Sequence, residues 1–369
     1  MSRRKFLKGA AATGAAAAAA AASSFPAPAI AQGIKELKMV TSFPKNFPGL
    51  GTSANRFVKR VEQASGGTLK VKLFNAGELV GAFEVFDAVS KGDADLYFSA
   101  EYYFPGKSKA FNFFTAVPFG MTAPETFAWI YYGGGQELWD ELSGGFNLKP
   151  FIAPSTGVQM GGWLNKEINT LDDFKGLKFR MPGLGGEVLR ALGVAVVNLP
   201  GGEIFPALQS GAIDGTEWVG PWHDLAFGFH KVAKYYYWPG FHEPGTCGSY
   251  AMNRSTWDGL SEEHQMIVQL AIEAEAQIQT AEYNARSPDS LGKLVGEHGV
   301  ELRQYNNDLL NAIGGVAGEV VAEIGNSDAM TRKVYESYLK FRKTAIAWSK
   351  IGIHGYMEAR TLPFKYGCS

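Results

Sequence analysis

The sequence predicts an α/β protein of two similar lobes that face each other across a cleft. Three observations lead there. Hydrophobic patterning in the order β-α-β-α-β occurs twice, over 36–99 and again over 177–219. The last helix-to-strand corner of each half keeps one spacing: Phe86, Ala88, Val89, Gly92 and Asp95 in the first, Phe205, Ala207, Leu208, Gly211 and Asp214 in the second. Extended stretches between and after the halves pair off as chain segments that cross from one lobe to the other and back, which makes a hinge.

The first 31 residues stand apart from the fold. Ser2-Arg3-Arg4-Lys5-Phe6-Leu7-Lys8, an alanine-rich run to Ala22 and Ala29-Ile30-Ala31 read as a twin-arginine export signal with a cleavage site of small residues. Its removal takes four cations and no acid, so a net charge of −1 becomes −5. An exported, mildly acidic chain is a poor partner for nucleic acid, whose binding rests on Lys and Arg against phosphate. No later stretch is apolar enough to span a bilayer. Two cysteines, Cys247 and Cys368, are too few for a disulfide framework.

After the leader, 36–42 alternates as a half-buried strand, and 43–53, with Pro44 and Pro48, is a loop. A helix over 54–64 presents Phe57, Val58 and Val61, and Gly66-Gly67 stops it. A strand over 68–74, a helix over 81–91 and a strand over 94–99 complete the first half. The middle, 124–142, reads as helix interrupted by Gly133-Gly134-Gly135, followed by a strand over 148–153. The second half repeats the order: strand 177–181, helix 186–192, strand 194–199, helix 203–210, strand 213–219. Strands over 235–238 and 248–253 cross back. Ser261 caps a long helix that runs to about residue 286, and further helices follow at 309–324, 329–341 and 344–351. The expected division is lobe I from 32–155 plus 254–369, including the C-terminal helices, and lobe II from 156–253.

The segment Gly211-Ala-Ile-Asp-Gly-Thr-Glu-Trp-Val-Gly-Pro-Trp222 delivers Glu217 and Trp218 to the carboxyl end of a strand, where open α/β sheets gather ligands. Tyr102 and Tyr103 follow the matching strand of the other lobe. Arg180 ends a strand, its planar fork suits a carboxylate, and the glycines after it leave room for a ligand. Gln159, Glu217 and Glu243 offer hard oxygen of the kind Na⁺ or Ca²⁺ takes, although no spacing rule marks them. Each residue also has an ordinary reading, as surface charge or as core aromatic.

Enzyme motifs fail. Gly183-Leu-Gly-Gly-Glu-Val188 has Val188 where a dinucleotide fingerprint needs glycine, and His242-Glu243-Pro244 breaks off a zincin pattern at once. His223-Asp224 reads as a surface hydrogen bond rather than an acid–base pair. No nucleophile elbow, Walker loop or Cys-x-x-Cys is present.

Taken together, the leader, Glu78-Leu79 after Phe-Asn-Ala-Gly, Tyr102-Tyr103, Ala116-Val-Pro-Phe119, Thr156-Gly-Val-Gln-Met-Gly-Gly-Trp163, Ala212-Ile-Asp-Gly-Thr-Glu-Trp-Val-Gly-Pro221 and Tyr235-Tyr-Tyr-Trp-Pro-Gly240 give the chain its family likeness. It resembles the solute receptors of tripartite ATP-independent periplasmic (TRAP) transporters, and among them those for 2-oxo acids and lactate. The resemblance implies a type II-like periplasmic binding protein with hinge crossovers and a long helix spanning the lobes. It implies that Arg180 binds a substrate carboxylate in a pocket with Tyr102 and Tyr103. It also implies a sodium or calcium ion, bridging protein and substrate, held by the Gln159 side chain, the Glu217 carboxylate, the Trp218 carbonyl and Glu243. His242-Glu243-Pro244 departs from the expected pattern of an aromatic before the acid and a glycine after it.

The implied function is capture of a small 2-oxo or 2-hydroxy monocarboxylate (pyruvate, 2-oxobutyrate or lactate in type) in the periplasm, and delivery to the small and large permease subunits. Some members pair through C-terminal helices, so a homodimer is an expected partner state. Two alternatives stay open: a metal-independent receptor for a dicarboxylate or sugar acid, and an exported enzyme acting on 2-oxo acids.

Overall fold

In the computed structural model, residues 33–365 are described; residues 1–31, expected to be an export leader, and Cys368 lie outside them. Two mixed sheets form the framework. The first is built from Lys35–Thr41 (β1), Leu69–Phe74 (β2), Leu96–Ser99 (β3), Leu148–Ser155 (β4) and Cys247–Asn253 (β10), in the order β2-β1-β3-β10-β4. The second holds Gly162–Leu164 (β5), Lys178–Arg180 (β6), Ala195–Val197 (β7), Gly215–Thr216 (β8), Tyr235–Trp238 (β9) and Glu301–Gln304 (β11), in the order β11-β9-β5-β8-β6-β7.

The two orders superimpose. In each sheet a central strand, β1 or β6, lies between two parallel partners, and the third strand of the unit pairs antiparallel with a crossing strand. Chain leaving β4 becomes β5 of the second sheet, and chain leaving β9 becomes β10 of the first.

The repeated corner has one hydrogen-bond scheme in both halves. The Ala88 carbonyl accepts from the N–H groups of Asp93 and Ala94, and the Ala207 carbonyl from those of Ala212 and Ile213. Asp95 Oδ2 accepts from the Lys38 N–H at 2.7 Å and Asp214 Oδ2 from the Lys178 N–H at 2.8 Å. Each aspartate thus pins the third strand of its unit to the first. The same two bonds in both halves account for the shared spacing.

Most helices form where the patterning placed them, with shifted ends; the helix at 221–227 was not expected, and the two expected at 329–341 and 344–351 form one. Leu50–Ala64 (α1) starts four residues earlier than expected and buries Leu50, Ala54, Phe57 and Val61 at helical spacing. Val85–Lys91 (α2) ends at Gly92, and Ala123–Tyr132 (α3) and Gly135–Gly144 (α4) flank the glycine break. Gly183–Ala191 (α5), Gly201–Gln209 (α6) and Pro221–Phe227 (α7) belong to the second half, and Arg254–Asp258 (α8) follows the last crossing strand.

The long helix Glu262–Gly296 (α9) joins the halves, and the Ser261 hydroxyl caps it by accepting from the His264 N–H. Buried Glu275 accepts from Arg56 Nε, Arg60 Nη2 and the Ser53 hydroxyl, which anchors the helix on α1. Two turns on, the Tyr283 hydroxyl meets His223 Nδ1 of α7 at 2.7 Å, which anchors it on the second half. The helix continues ten residues past the expected end, through Pro288. A proline removes one backbone bond there, while the turns beyond bury Ser290 and Leu294.

Two expected boundaries are corrected. Residues 247–253, expected in lobe II, form β10 at the heart of the first sheet. Of the tail expected wholly on lobe I, β11 pairs with β9 and closes the edge of the second sheet. Leu309, Ile313 and Ala317 of the helix Asn307–Gly325 (α10) then bury with Phe179, Val188 and Tyr237 in the second core. The next helix, Ala329–Ser349 (α11), returns to the first core, where the Tyr338 hydroxyl accepts from the Met121 N–H at 2.9 Å. Gly355–Ala359 (α12) ends the helices. An unpaired edge attracts whichever extended segment reaches it, and nothing local in Glu-Leu-Arg-Gln says which edge that is. Among the described residues no helix is long and apolar enough to cross a membrane.

Candidate functional site

Strand pairing explains why Arg180 and Glu217 meet. In the parallel pair β6–β8 Arg180 lies opposite Thr216, and Glu217 is the next residue. Two adjacent strand ends therefore present an arginine and a glutamate together, each 1% exposed. Arg180 Nη1 donates to Glu217 Oε1 and, at 3.2 Å, to the Glu217 carbonyl, while Nε donates to the Leu199 carbonyl at 3.1 Å. The guanidinium lies 5.1 Å from the Trp218 ring centre. Burial opposes its charge most, but the Glu217 carboxylate together with Tyr103 and Tyr102 outweighs it and holds its pKa above the usual value. Its Nη2 is buried and has no partner among the described residues.

The loop after β9 brings the second acid. Glu243 Oε2 accepts from the Thr246 hydroxyl, and Gln159 Nε2 donates to the hydroxyls of Thr246 at 3.1 Å and Thr156 at 3.0 Å. The Gln159 N–H donates to the Glu243 carbonyl at 3.2 Å, and its own carbonyl accepts from the Gly240 N–H at 3.0 Å. Gly240 permits that approach, since a Cβ there would come within 2.5 Å of the Gln159 carbonyl oxygen. The Gln159 Oε1 is buried without a partner, and the Trp218 carbonyl accepts no hydrogen bond, among the described residues.

His242 joins the acids. Its Nε2 is 3.3 Å from Glu217 Oε2, and ligand atoms of Glu217, His242 and Glu243 all lie within 4.8 Å of one another. Burial, and then the charge of Glu217, push the Glu243 carboxyl up to about 7. Tyr102 and Tyr103 sit in the turn Glu101–Tyr103 directly after β3, as Glu217 and Trp218 directly follow β8. Burial raises both phenol pKa values, and the charges of Arg180, Glu217 and Glu243 act on both. Tyr102, Tyr103, Thr156, Gln159, Trp218 and Thr246 line one cavity, with about 20 Å³ for the centre of a water-sized group.

Every residue singled out for the site in the sequence (Tyr102, Tyr103, Gln159, Arg180, Glu217, Trp218 and Glu243) thus comes to one buried place. Sequence reasoning missed Thr156 and Thr246, and it passed over His242 as a broken zincin motif. Adjacency to Glu243 was the available signal. The reading of His223-Asp224 as a surface pair is corrected, because both are buried and each has its own partners. Asp224 accepts from Trp163 Nε1 at 2.9 Å, the Tyr236 hydroxyl at 2.7 Å and the Val219 N–H at 3.3 Å. It props the chain just beyond Trp218.

The donor set fits a cation. Two buried carboxylates face one guanidinium, an excess of one negative charge, and an amide oxygen and a carbonyl oxygen stand free beside them.

Comparison with known proteins agrees with the fold. The family model for DctP, bacterial extracellular solute-binding protein family 7, matches residues 41–328. A monocarboxylate 2-oxoacid-binding periplasmic protein of Nostoc sp. PCC 7120 is 38% identical over 96% of this chain and 98% of its own length. A TRAP periplasmic solute-binding protein of Pseudoalteromonas atlantica T6c, solved with bound sodium and pyruvate, has a TM-score of 0.86 and 37% identity, covering 90% of this chain and 100% of that one. A TRAP solute-binding protein of Bordetella bronchiseptica RB50, a dimer of mixed occupancy with copurified calcium and picolinate, has a TM-score of 0.87 and 33% identity, covering 89% and 97%. The chain belongs to the DctP family: it is a periplasmic TRAP solute receptor, a transport protein and not an enzyme.

Proposed function

We propose that this receptor captures a short 2-oxo or 2-hydroxy monocarboxylate together with a sodium or calcium ion and delivers it to the small and large subunits of a TRAP permease. One observation carries the reading. Arg180 Nη2 and Gln159 Oε1, a cationic donor and a neutral oxygen acceptor, are both buried without partners among the described residues. Leaving such groups unmet costs about 1–3 kcal/mol each, more for the charged one. A ligand with a carboxylate at one end and a metal at the other meets both.

In this arrangement Arg180 takes a carboxylate oxygen of the ligand, and Tyr102 and Tyr103 enclose it. Gln159 Oε1, Glu217, the Trp218 carbonyl and Glu243 hold the ion, which polarises and orients the 2-oxygen. One arginine, two glutamates and a monocarboxylate sum to zero charge with calcium and to −1 with sodium, so burial is best balanced with the divalent ion. A dicarboxylate leaves a charge unpaired. Hydrophobic and hinge elements between the two sheets then close on the filled site. The pyruvate bound by the Pseudoalteromonas relative and the 2-oxoacid in the Nostoc relative's name support the same class, while the picolinate of the Bordetella relative shares with it only a monocarboxylate beside a calcium ion.

The test is calorimetric. Protein stripped with EGTA in sodium-free buffer is titrated with pyruvate, 2-oxobutyrate, lactate, succinate and galacturonate, before and after Na⁺ or Ca²⁺ is restored. Tight binding of a monocarboxylate only with metal is expected. Undiminished binding without metal, or a preference for succinate or galacturonate, refutes the reading.

Two finer points accompany it. Export through the twin-arginine leader predicts that Arg3→Lys with Arg4→Lys retains the protein in the cytoplasm. Trp348, Ile351 and Tyr356 on the C-terminal helices, with Leu362 and Phe364 just beyond them, are exposed apolar side chains that support a homodimer through this end of the chain. Light scattering on the protein truncated after residue 345 checks it.

A further inference from the structure

We infer that His242 is a nitrogen ligand of the site's metal ion and gives this receptor a preference for a borderline first-row divalent cation, such as Zn²⁺ or Co²⁺, over Ca²⁺ and Na⁺. The inference rests on the metal-bridged reading above but departs from it in the ion, replacing sodium or calcium as the preferred one.

The ring is held among the acids by packing. It is fully buried, and a Cβ at Gly185 of α5 would come within 2.7 Å of the His242 Cβ, so only glycine admits it there. Phe241 packs edge-on at 5.6 Å between ring centres. The fold uses neither ring nitrogen elsewhere: Nε2 faces Glu217 Oε2 at 3.3 Å, and Nδ1 has no partner among the described residues.

That 3.3 Å separation is a hydrogen-bond length. It also matches the edge of a coordination polyhedron, with bonds of about 2.1 Å meeting at about 105° for zinc or about 2.4 Å meeting at about 87° for calcium, so the distance allows a shared ion and the ligand type ranks the ions. Glu243 falls within the same 4.8 Å cluster. The buried, partnerless Gln159 Oε1 offers a further oxygen one hydrogen-bonded threonine away from Glu243.

Chemistry then ranks the ions. An all-oxygen set suits Na⁺ and Ca²⁺, whereas imidazole nitrogen adds affinity for Zn²⁺, Co²⁺ and Ni²⁺ and almost none for the hard ions. One histidine beside two carboxylates and an amide is a mixed set. The ligand's carboxylate and 2-oxygen complete it without adding nitrogen.

The experiment uses metal-stripped, otherwise intact mature protein carrying His230→Gln, which removes the stacked His230–His298 pair at the surface as a stray zinc site. Affinities for Zn²⁺ and Ca²⁺ are measured by competition with pyruvate present, in this background and with His242→Gln or His242→Phe added. Zinc K-edge X-ray absorption of the loaded protein reads imidazole scattering directly. The expected result is one imidazole in the zinc shell and a Zn²⁺-to-Ca²⁺ preference that falls about tenfold or more in both variants. Absence of imidazole scattering, or an unchanged ratio, overturns the role of His242 while leaving the metal-bridged receptor intact. Pyruvate binding that needs no metal is the different failure, that of the receptor reading itself. The absorption measurement decides the matter on protein with His242 intact, so misfolding of both variants does not blunt the test.

Discussion

The buried pair Arg180–Glu217 can be tested by a double-mutant cycle on ligand-free protein in sodium-free buffer. Arg180→Met removes the donor to the Leu199 carbonyl, to the Glu217 carbonyl and to the Glu217 carboxylate, and strands that carboxylate where it is 1% exposed. Breaking a buried pair from one side costs about 3–5 kcal/mol, so about 4 kcal/mol is expected. Glu217→Gln keeps an oxygen facing Arg180 and leaves the guanidinium its two backbone carbonyls, so a smaller loss, about 2 kcal/mol, is expected. The double variant has no unpaired charge to bury. Its loss of about 3 kcal/mol falls short of the two singles combined, leaving a coupling of about 3 kcal/mol. With an unfolding entropy of about 0.7 kcal/mol/K for a chain of this size, Arg180→Met lowers Tm by about 6 °C. Differential scanning calorimetry and urea unfolding followed by tryptophan fluorescence give the four stabilities. Strict additivity, or a harmless Arg180→Met, refutes the claim that these charges depend on each other. The double variant should also fold and yet fail to bind pyruvate, which separates stability from recognition.

Two further predictions follow from buried groups beside the site. Glu101 is enclosed, with Tyr97 donating to Oε1 at 2.9 Å, and burial raises its pKa from 4.5 to about 7. A raised carboxyl binds its proton more tightly in the folded state, so its contribution is complete below about 4.5, falls as pH rises to about 7 and is flat above. Glu101→Gln removes that dependence, and its stability relative to the parent should rise by about 3 kcal/mol between pH 4 and pH 8; parallel urea-unfolding profiles would exclude it. Gly240→Ala places a methyl within 2.5 Å of the Gln159 carbonyl and 2.9 Å of that of Met160, both backbone atoms. A stability loss of about 1–3 kcal/mol with weakened metal binding is expected by unfolding and calorimetry, and a neutral variant would show that the Gln159 and Glu243 segments do not meet there.

What could be read from the residues depended on how local the cause was. The corners ending in Asp95 and Asp214 were visible because turn, glycine and aspartate act within ten residues, and both make the same bonds to a neighbouring strand. Helices announced themselves by the spacing of buried positions, as in Leu50, Ala54, Phe57 and Val61. The placement of β10 and β11 was not visible, since pairing with β3 or β9 joins residues far apart in sequence through backbone groups that every residue carries. His223 and Asp224 looked like surface residues because a polar pair shows its burial only once Trp163, Tyr236 and Tyr283 have closed over it.

The sequence by itself determined a repeated α/β unit and a long capped helix, because these follow from side-chain chemistry and short-range geometry, whereas the oxygen and guanidinium groups of the site were marked out only by the family resemblance. Only the tertiary structure decided that Arg180 and Glu217 lie on neighbouring strands, that Gln159 and Glu243 share one loop clamp, and that His242 stands among them. Those are distances between segments brought together by packing, and the sequence order of the segments carries no record of them.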